Sequence, residues 1–215
     1  MELALDGGGT SAAHRAYDYV KSAVIKGHFP TGSLISEGMV CEQLSLSRTP
    51  VHEAFLRLAA ENWLQLLSRK GAVVRPMAPR ESEDVLEMRE AIESSAAERV
   101  IREERTAELL PLLSDLLETQ AAAIEGDDVD GFIVADDAFH SAVVEASGNR
   151  IAVDFMARLR DRQQRLRHQL IRIRPSQLEL ALREHRQLVA ALSRGDATRY
   201  ASVLHQHVFS HRGVL

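Results

Sequence analysis

The chain is short of the residues that build disulfide-stapled, membrane-spanning or sheet-rich proteins. It has one cysteine, six prolines and 5% aromatic residues in 215. A lone Cys41 excludes a disulfide within the chain and makes the reducing cytoplasm the expected compartment. Its place on the inner side of a helical stretch reads as a small buried side chain. No apolar run approaches the ~20 residues of a membrane span. Residues 1–13 also lack the basic start and apolar core of a signal peptide. The chain has no large excess of either charge, with 26 basic against 31 acidic residues and a formal net charge of -5. That balance taken whole argues against nucleic acid. By segment it does not: residues 10–76 hold eight Lys/Arg against five Asp/Glu, and residues 77–215 hold eighteen against twenty-four. A mildly basic front on an acidic body suits a nucleic-acid-binding head on a differently employed body. What is plentiful is Ala, Leu, Arg and Glu, the composition of a helical protein.

The pattern signal in the basic front is stronger than its charge. Val51, Ala54, Phe55 and Leu58 recur at i, i+3, i+4 and i+7, one apolar stripe on a helix. Ser47 or Thr49 can cap its start, and Pro50 suits a first turn that needs no amide donor. Arg48, Thr49, His52 and Arg57 lie opposite the stripe, a face rich in hydrogen-bond donors. A shorter helix over residues 36–44 keeps Val40, Cys41 and Leu44 inward and is separated from the first only by Ser45-Leu-Ser47. So tight a joint predicts a helix-turn-helix whose second helix enters the DNA major groove. Residues 12–26 form a preceding helix closed by Gly27, and Pro30-Thr-Gly32 turns into the short apolar Leu34-Ile35. Strand-length runs at 64–67 and 72–74, joined by Ser68-Arg-Lys-Gly71, predict a hairpin. Arg69, Lys70 and Gly71 at its tip complete a winged helix-turn-helix in which the wing meets phosphate or minor groove.

The expected organisation is a flexible tail over 1–11, the DNA-binding domain over 12–75 and a linker over 76–80. A helical effector, metal-binding and dimerisation domain follows over 81–213. The fold class is mainly α, the winged head preceding an all-helical antiparallel bundle. Six helices are expected in the bundle: 81–104, 106–125, 129–147, 150–173, one capped by Ser176 and running to 194, and a last reaching about His211. In the first, Val85, Met88, Ile92, Ala96 and Val100 face inward.

The bundle buries chemistry. Asp136 and His140 are an i, i+4 pair on the apolar face that also holds Phe132, Phe139 and Val143. His185 stands in the apolar row Leu178, Leu182, Val189, Leu192. On the last helix Tyr200, Leu204, His207 and His211 share a face, and periodicity does not choose between its two histidines. Any one such histidine is more often a hydrogen-bonded core residue. One aspartate and three histidines on inward faces of three helices instead satisfy one another by ligating a divalent cation. Zinc suits mixed imidazole and carboxylate ligands, and nickel or manganese also fit. Arg89 sits i−4 from Glu93, where an intrahelical ion pair and a pocket wall are both open readings. The arginines of 158–174 mostly populate a solvated face outside the seam Leu159, Leu166, Leu170, Ile173, with one or two free to look into a pocket.

Phe29-Pro-Thr-Gly-Ser-Leu-Ile-Ser-Glu37, Leu44-Ser-Leu-Ser-Arg-Thr-Pro-Val-His-Glu-Ala-Phe55 and Arg69-Lys-Gly-Ala-Val-Val74 resemble the GntR family of bacterial transcription regulators. Arg89-Glu-Ala-Ile-Glu93, Asp136-Asp-Ala-Phe-His140 and Ser147-Gly-Asn149 resemble the FCD effector domain of that family's FadR-like branch. The resemblance implies a homodimer whose grip on operator DNA is changed by a small organic acid. It places metal ligands on Asp136, His140, His185 and His207, and so selects His207 over His211. It makes Arg89 a partner of the effector carboxylate, with Asn149 as a second pocket candidate or a helix cap. His52 departs from the family's arginine, and Leu56 replaces a residue that is commonly polar. Imidazole offers one hydrogen bond where arginine grips guanine with two, which implies an altered half-site at that base pair. Two other functions compete: a regulator sensing the metal itself, and a metal-dependent hydrolase. Against the hydrolase, no further Glu or His stands at the spacing of a general base.

Overall fold

A computed structural model describes residues 11–68, 70–174 and 176–209, without the side chains of Pro79 and Ile173. The expectations for the tail, Arg69 and His211 therefore fall outside the described residues. The chain divides into two compact units, one ending at Pro76 and the other starting at Met77.

The first unit opens with α1 (Ala12–Ile25), whose cap Ser11 accepts from the His14 amide. It continues through β1 (Leu34–Ile35), α2 (Glu37–Leu44) and α3 (Arg48–Ala60) to β2 (Leu64–Leu67) and β3 (Gly71–Val74). Ser36 Oγ accepts from the Met39 amide and starts α2. Ser45 then takes the left-handed conformation that turns the chain sharply into α3. Asn62, φ 66°, stops the region after α3 in the same way. The stripe Val51, Ala54, Phe55, Leu58 is fully buried against Ala16, Val20 and Val24 of α1 and Val40 of α2. Cys41 is half-buried at the edge of this core.

The strands lie in the order β1-β3-β2, all antiparallel, with Leu34 opposite Val73 and Leu64 opposite Val74. The strand β1 adds to the expected hairpin; two residues are too few to show a period. Gly71 owes its identity to this third strand. Its φ is 99°, and a Cβ there would collide with the Ile35 carbonyl oxygen.

A polar tie joins α1 to the end of α3. The Tyr17 hydroxyl donates to Glu61 Oε2 at 2.5 Å and accepts from Lys21 Nζ at 2.7 Å. Burial pushes Glu61 up, but the Tyr17 hydroxyl, Arg57 and Lys21 outweigh it and hold the carboxyl below its usual range. A depressed carboxyl stabilises the fold above the unfolded-chain value of about 4.3, and that contribution is lost as pH falls through the folded value. Tyr17→Phe should lower head stability by about 1–2 kcal/mol at pH 7, trimmed by solvent reaching Glu61. Urea unfolding at pH 7 and pH 3 should show the difference between wild type and variant shrinking at the lower pH.

The second unit consists of α4 (Pro79–Arg102), α5 (Thr106–Glu125), α6 (Val129–Ala146), α7 (Arg150–Ile173), α8 (Gln177–Ser193) and α9 (Ala197–Phe209). Asp128 and Asn149 cap α6 and α7 through their side chains. Helix α4 packs on α6, α7 and α9, while α5 packs on α6 and α8. Val100, Leu113, Phe139, Val143, Leu188, Leu192, Tyr200 and Leu204 fill the shared core with no more than 1% exposure. Among the described residues no helix is long and apolar enough to cross a membrane.

The inward stripe of α4 differs from expectation by one position. Met88 is 46% exposed, whereas Arg89 and Glu93 are 4% and 0% exposed. Four-residue steps from Val85 run through Arg89 and Glu93 to Ala97, so two charged residues hold core positions and satisfy each other. Apolarity drew the reading to Met88, but helix geometry favours its neighbour.

Candidate metal centre

Asp136 and His140 come from α6, His185 from α8 and His207 from α9. One ligand atom from each lies within 4.8 Å of the others, and all four residues are buried. The Nε2 atoms of His140 and His185 are 3.1 Å apart, and those of His185 and His207 are 3.4 Å apart. Asp136 Oδ1 is 3.4 Å from His185 Nε2 and 3.8 Å from His140 Nε2. Ligands about 2.0–2.1 Å from a common cation stand roughly 3.0–3.4 Å from one another. Three of these four separations fall in that range, and the donor types suit a divalent metal. His205 lies elsewhere, exposed, with Nδ1 2.8 Å from Glu90 Oε1.

A second ring of residues fixes which nitrogen faces the centre. His140 Nδ1 is 2.6 Å from Glu93 Oε2, His185 Nδ1 is 2.7 Å from Gln120 Oε1, and His207 Nδ1 is 2.8 Å from Glu184 Oε2. With Nδ1–H donated outward, each Nε2 lone pair points inward, the arrangement that orients metal-binding imidazoles. Burial lowers all three imidazoles below the usual histidine range, and Arg89 works in the same direction; neighbouring imidazoles add to this for His185 and His207. Burial would raise Glu93, but His140 and Arg89 outweigh it and bring the carboxyl to about 2. Burial pushes Glu184 up to about 7 against Arg183 and Arg167. Sequence reasoning named Glu93 only as an ion-pair partner for Arg89, which it is, and missed its contact with His140 along with Gln120 and Glu184. The signal for Glu93 was its four-residue step from Arg89; Glu184 and Gln120 gave none.

Arg89 donates through Nε to Glu93 Oε1 at 2.7 Å, while its Nη2 is buried without a hydrogen-bond partner. Two small cavities of about 30 and 10 Å³ share Arg89, Gln163 and Arg167 in their walls. His207 borders the first, and Asp136 and His140 border the second. Arg167, from the arginine-rich α7, turns inward and forms an ion pair with Asp136 Oδ1. Asn149 is not among the residues lining either cavity. Its Oδ1 accepts from the Ala152 amide, the capping alternative.

In the first unit a cleft of about 530 Å³ is lined by Ser36, Glu37, Arg48, His52, Lys70 and Gly71, among others. It gathers the start of α3 and the wing on one side of the head. His52 Nδ1 is 2.7 Å from Glu37 Oε1, a pairing sequence reasoning did not anticipate. Thr49 is exposed in the first turn of α3. Arg57 leaves the group: its guanidinium lies 3.7 Å over the Tyr17 ring and its Nε donates to Glu61 Oε1 at 3.1 Å, engaging it with α1.

Residues 12–74 match the family described as bacterial regulatory proteins, gntR family, and residues 84–210 match the FCD domain. An uncharacterized HTH-type transcriptional regulator in the TAR-I ttuE-ttuC' intergenic region of Agrobacterium vitis is 36% identical over 145 residues, 65% of this chain and 85% of that protein. The HTH-type transcriptional repressor RspR of Escherichia coli K12 is 28% identical over 178 residues, 82% of this chain and 77% of that protein. The structure of E. coli McbR/YncC aligns with a TM-score of 0.76 at 25% identity, over 96% of this chain and 97% of that one. A GntR-type protein from Rhodococcus sp. RHA1 aligns with a TM-score of 0.71 over 94% and 95%, and at 20% identity this bears on the fold alone. The relatives from Agrobacterium vitis and E. coli K12 are described as a transcriptional regulator and a transcriptional repressor, which speaks for regulation over the hydrolase reading. With a winged helix-turn-helix head and an FCD domain both matched, the chain belongs to the GntR family of bacterial regulatory proteins and is a DNA-binding transcription regulator.

Proposed function

We propose that this regulator works as a cytoplasmic homodimer whose operator affinity is set by a small carboxylic acid. The acid would bind at a divalent metal held by Asp136, His140, His185 and His207. The observation that carries this reading is the set of three inward Nε2 atoms, each fixed by an outward Nδ1 contact. Bound there, a divalent cation, zinc first and nickel or manganese next, supplies a Lewis-acidic centre with positions left for water or a carboxylate. The buried Arg89 Nη2 is the guanidinium nitrogen left to donate to that carboxylate. Arg48, Thr49, His52, Lys70 and Gly71 form the DNA-facing group, with Arg69 beside them in sequence, and paired heads read paired half-sites.

Coupling requires that the acid bind one arrangement of the heads more tightly than another. The test is fluorescence anisotropy with a duplex selected from a random pool, zinc-loaded protein and a panel of mono- and dicarboxylic acids. One acid should change the DNA affinity by about 5–150-fold. A response to zinc alone, with none to any acid, would establish the metal-sensing reading instead. Indifference to both would overturn the proposal.

A further inference from the structure

We infer that Arg167 is a built-in competitor for the metal's aspartate and, once displaced, the second anchor of a dicarboxylate effector. The inference rests on the reading of the site as a metal-and-acid centre and names the class of acid. Asp136 Oδ1 is the oxygen that stands 3.4 Å from His185 Nε2 in the ligand cluster, and the same oxygen is the one Arg167 Nη1 contacts. A metal in the cluster would thus share this carboxylate oxygen with the guanidinium. A guanidinium resting there lowers the cluster's affinity for a divalent ion by simple repulsion.

Where Arg167 goes when it yields that oxygen is limited by its surroundings. Its side chain is 13% exposed and lines both small cavities together with Arg89 and Gln163. A guanidinium so far inside needs an anion beside it. Arg89 Nη2, in the same walls, also has no acceptor. With Arg89 paired to Glu93 and Asp137 to Arg160, the charge balance left at the two cavities is that of Arg167 against Asp136. A divalent cation on Asp136 then leaves two positive charges to be met by the ligand. One carboxylate leaves one of them unmet in a buried site, whereas two carboxylates answer both. The guanidiniums offer planar two-point contacts, so geometry as well as charge favours the dicarboxylate.

This arrangement links the two ligands: each carboxylate that engages Arg167 draws it from Asp136 and tightens the grip on the metal. Removing the guanidinium should therefore move the two affinities in opposite directions, which loss of structure would not do. The experiment compares wild type, Arg167→Met and Arg167→Lys. Zinc affinity is measured by competition with a chromophoric chelator. Calorimetry on the zinc-loaded proteins uses C3–C6 dicarboxylates and monocarboxylates of the same length. Arg167→Met should bind zinc about tenfold or more tighter and lose about tenfold or more in dicarboxylate affinity, with monocarboxylates little changed. Arg167→Lys keeps a cation and should fall between on both scales; it decides the matter alone if the methionine variant does not fold. Unchanged or weaker zinc binding in either variant, or monocarboxylates binding wild type as tightly as dicarboxylates, would overturn the inference. A wild-type protein that takes up no zinc would instead overturn the metal centre on which it rests.

Discussion

Glu93→Ala should cost the helical unit about 3–5 kcal/mol, the penalty for breaking a buried charge pair from one side. Glu93 is 0% exposed and serves two partners at once: Arg89 Nε at 2.7 Å on its own helix and His140 Nδ1 at 2.6 Å across the bundle. Its removal leaves the Arg89 guanidinium, itself 4% exposed, with no carboxylate against it. It also frees the His140 ring to rotate or change tautomer. Zinc affinity should fall about 10–100-fold, the usual effect of losing an outer-shell partner. Glu93→Gln keeps shape and an acceptor oxygen and should lose less on both scales. Urea unfolding with chelator present, beside a zinc competition assay, separates the two effects. A loss under about 1 kcal/mol for Glu93→Ala would show that solvent or rearrangement reaches Arg89.

Phe55→Ala should unfold much of the head and leave the metal centre intact. Phe55 is fully buried in the middle of α3 and is among the largest side chains of the first unit's core. Truncating a buried phenylalanine costs about 3–5 kcal/mol. A unit of this size buries a modest share of its surface, so its whole stability is of that order. The second unit has its own core, with Phe139, Leu188 and Tyr200 among its residues. DNA binding should drop at least 100-fold as the folded head is depleted, while zinc uptake per chain stays at the wild-type value. Equal losses of both would mean the two units fold as one.

The sequence showed best where a residue broke its own pattern. His140, His185 and His207 were legible because each interrupts an apolar row, and all three side chains lie at 0–1% exposure. Choosing between His207 and His211 was beyond periodicity, since both continue the face of Tyr200 and Leu204. The family resemblance chose His207, which lies in the cluster, while His211 falls outside the described residues. The charged outer ring stayed hidden for the opposite reason. Glu93 and Glu184 have the composition of a solvated surface, and nothing in a helical period distinguishes a paired buried glutamate from an exposed one. Arg167 was visible only as one of several inward candidates on α7. In the head, the apolar stripe of α3 and the hairpin were readable, whereas β1 emerged only through its pairing with β3. The Glu37–His52 contact joins two helices and has no local signature.

The central claim is that three imidazoles and one carboxylate inside the bundle form a single metal site. Native mass spectrometry of the purified chain, equilibrated with zinc and desalted, addresses it without any need for an operator or an acid. One zinc per chain should be retained by wild type and none by His185→Ala. Wild type emerging without zinc, or His185→Ala retaining as much as wild type, would contradict it.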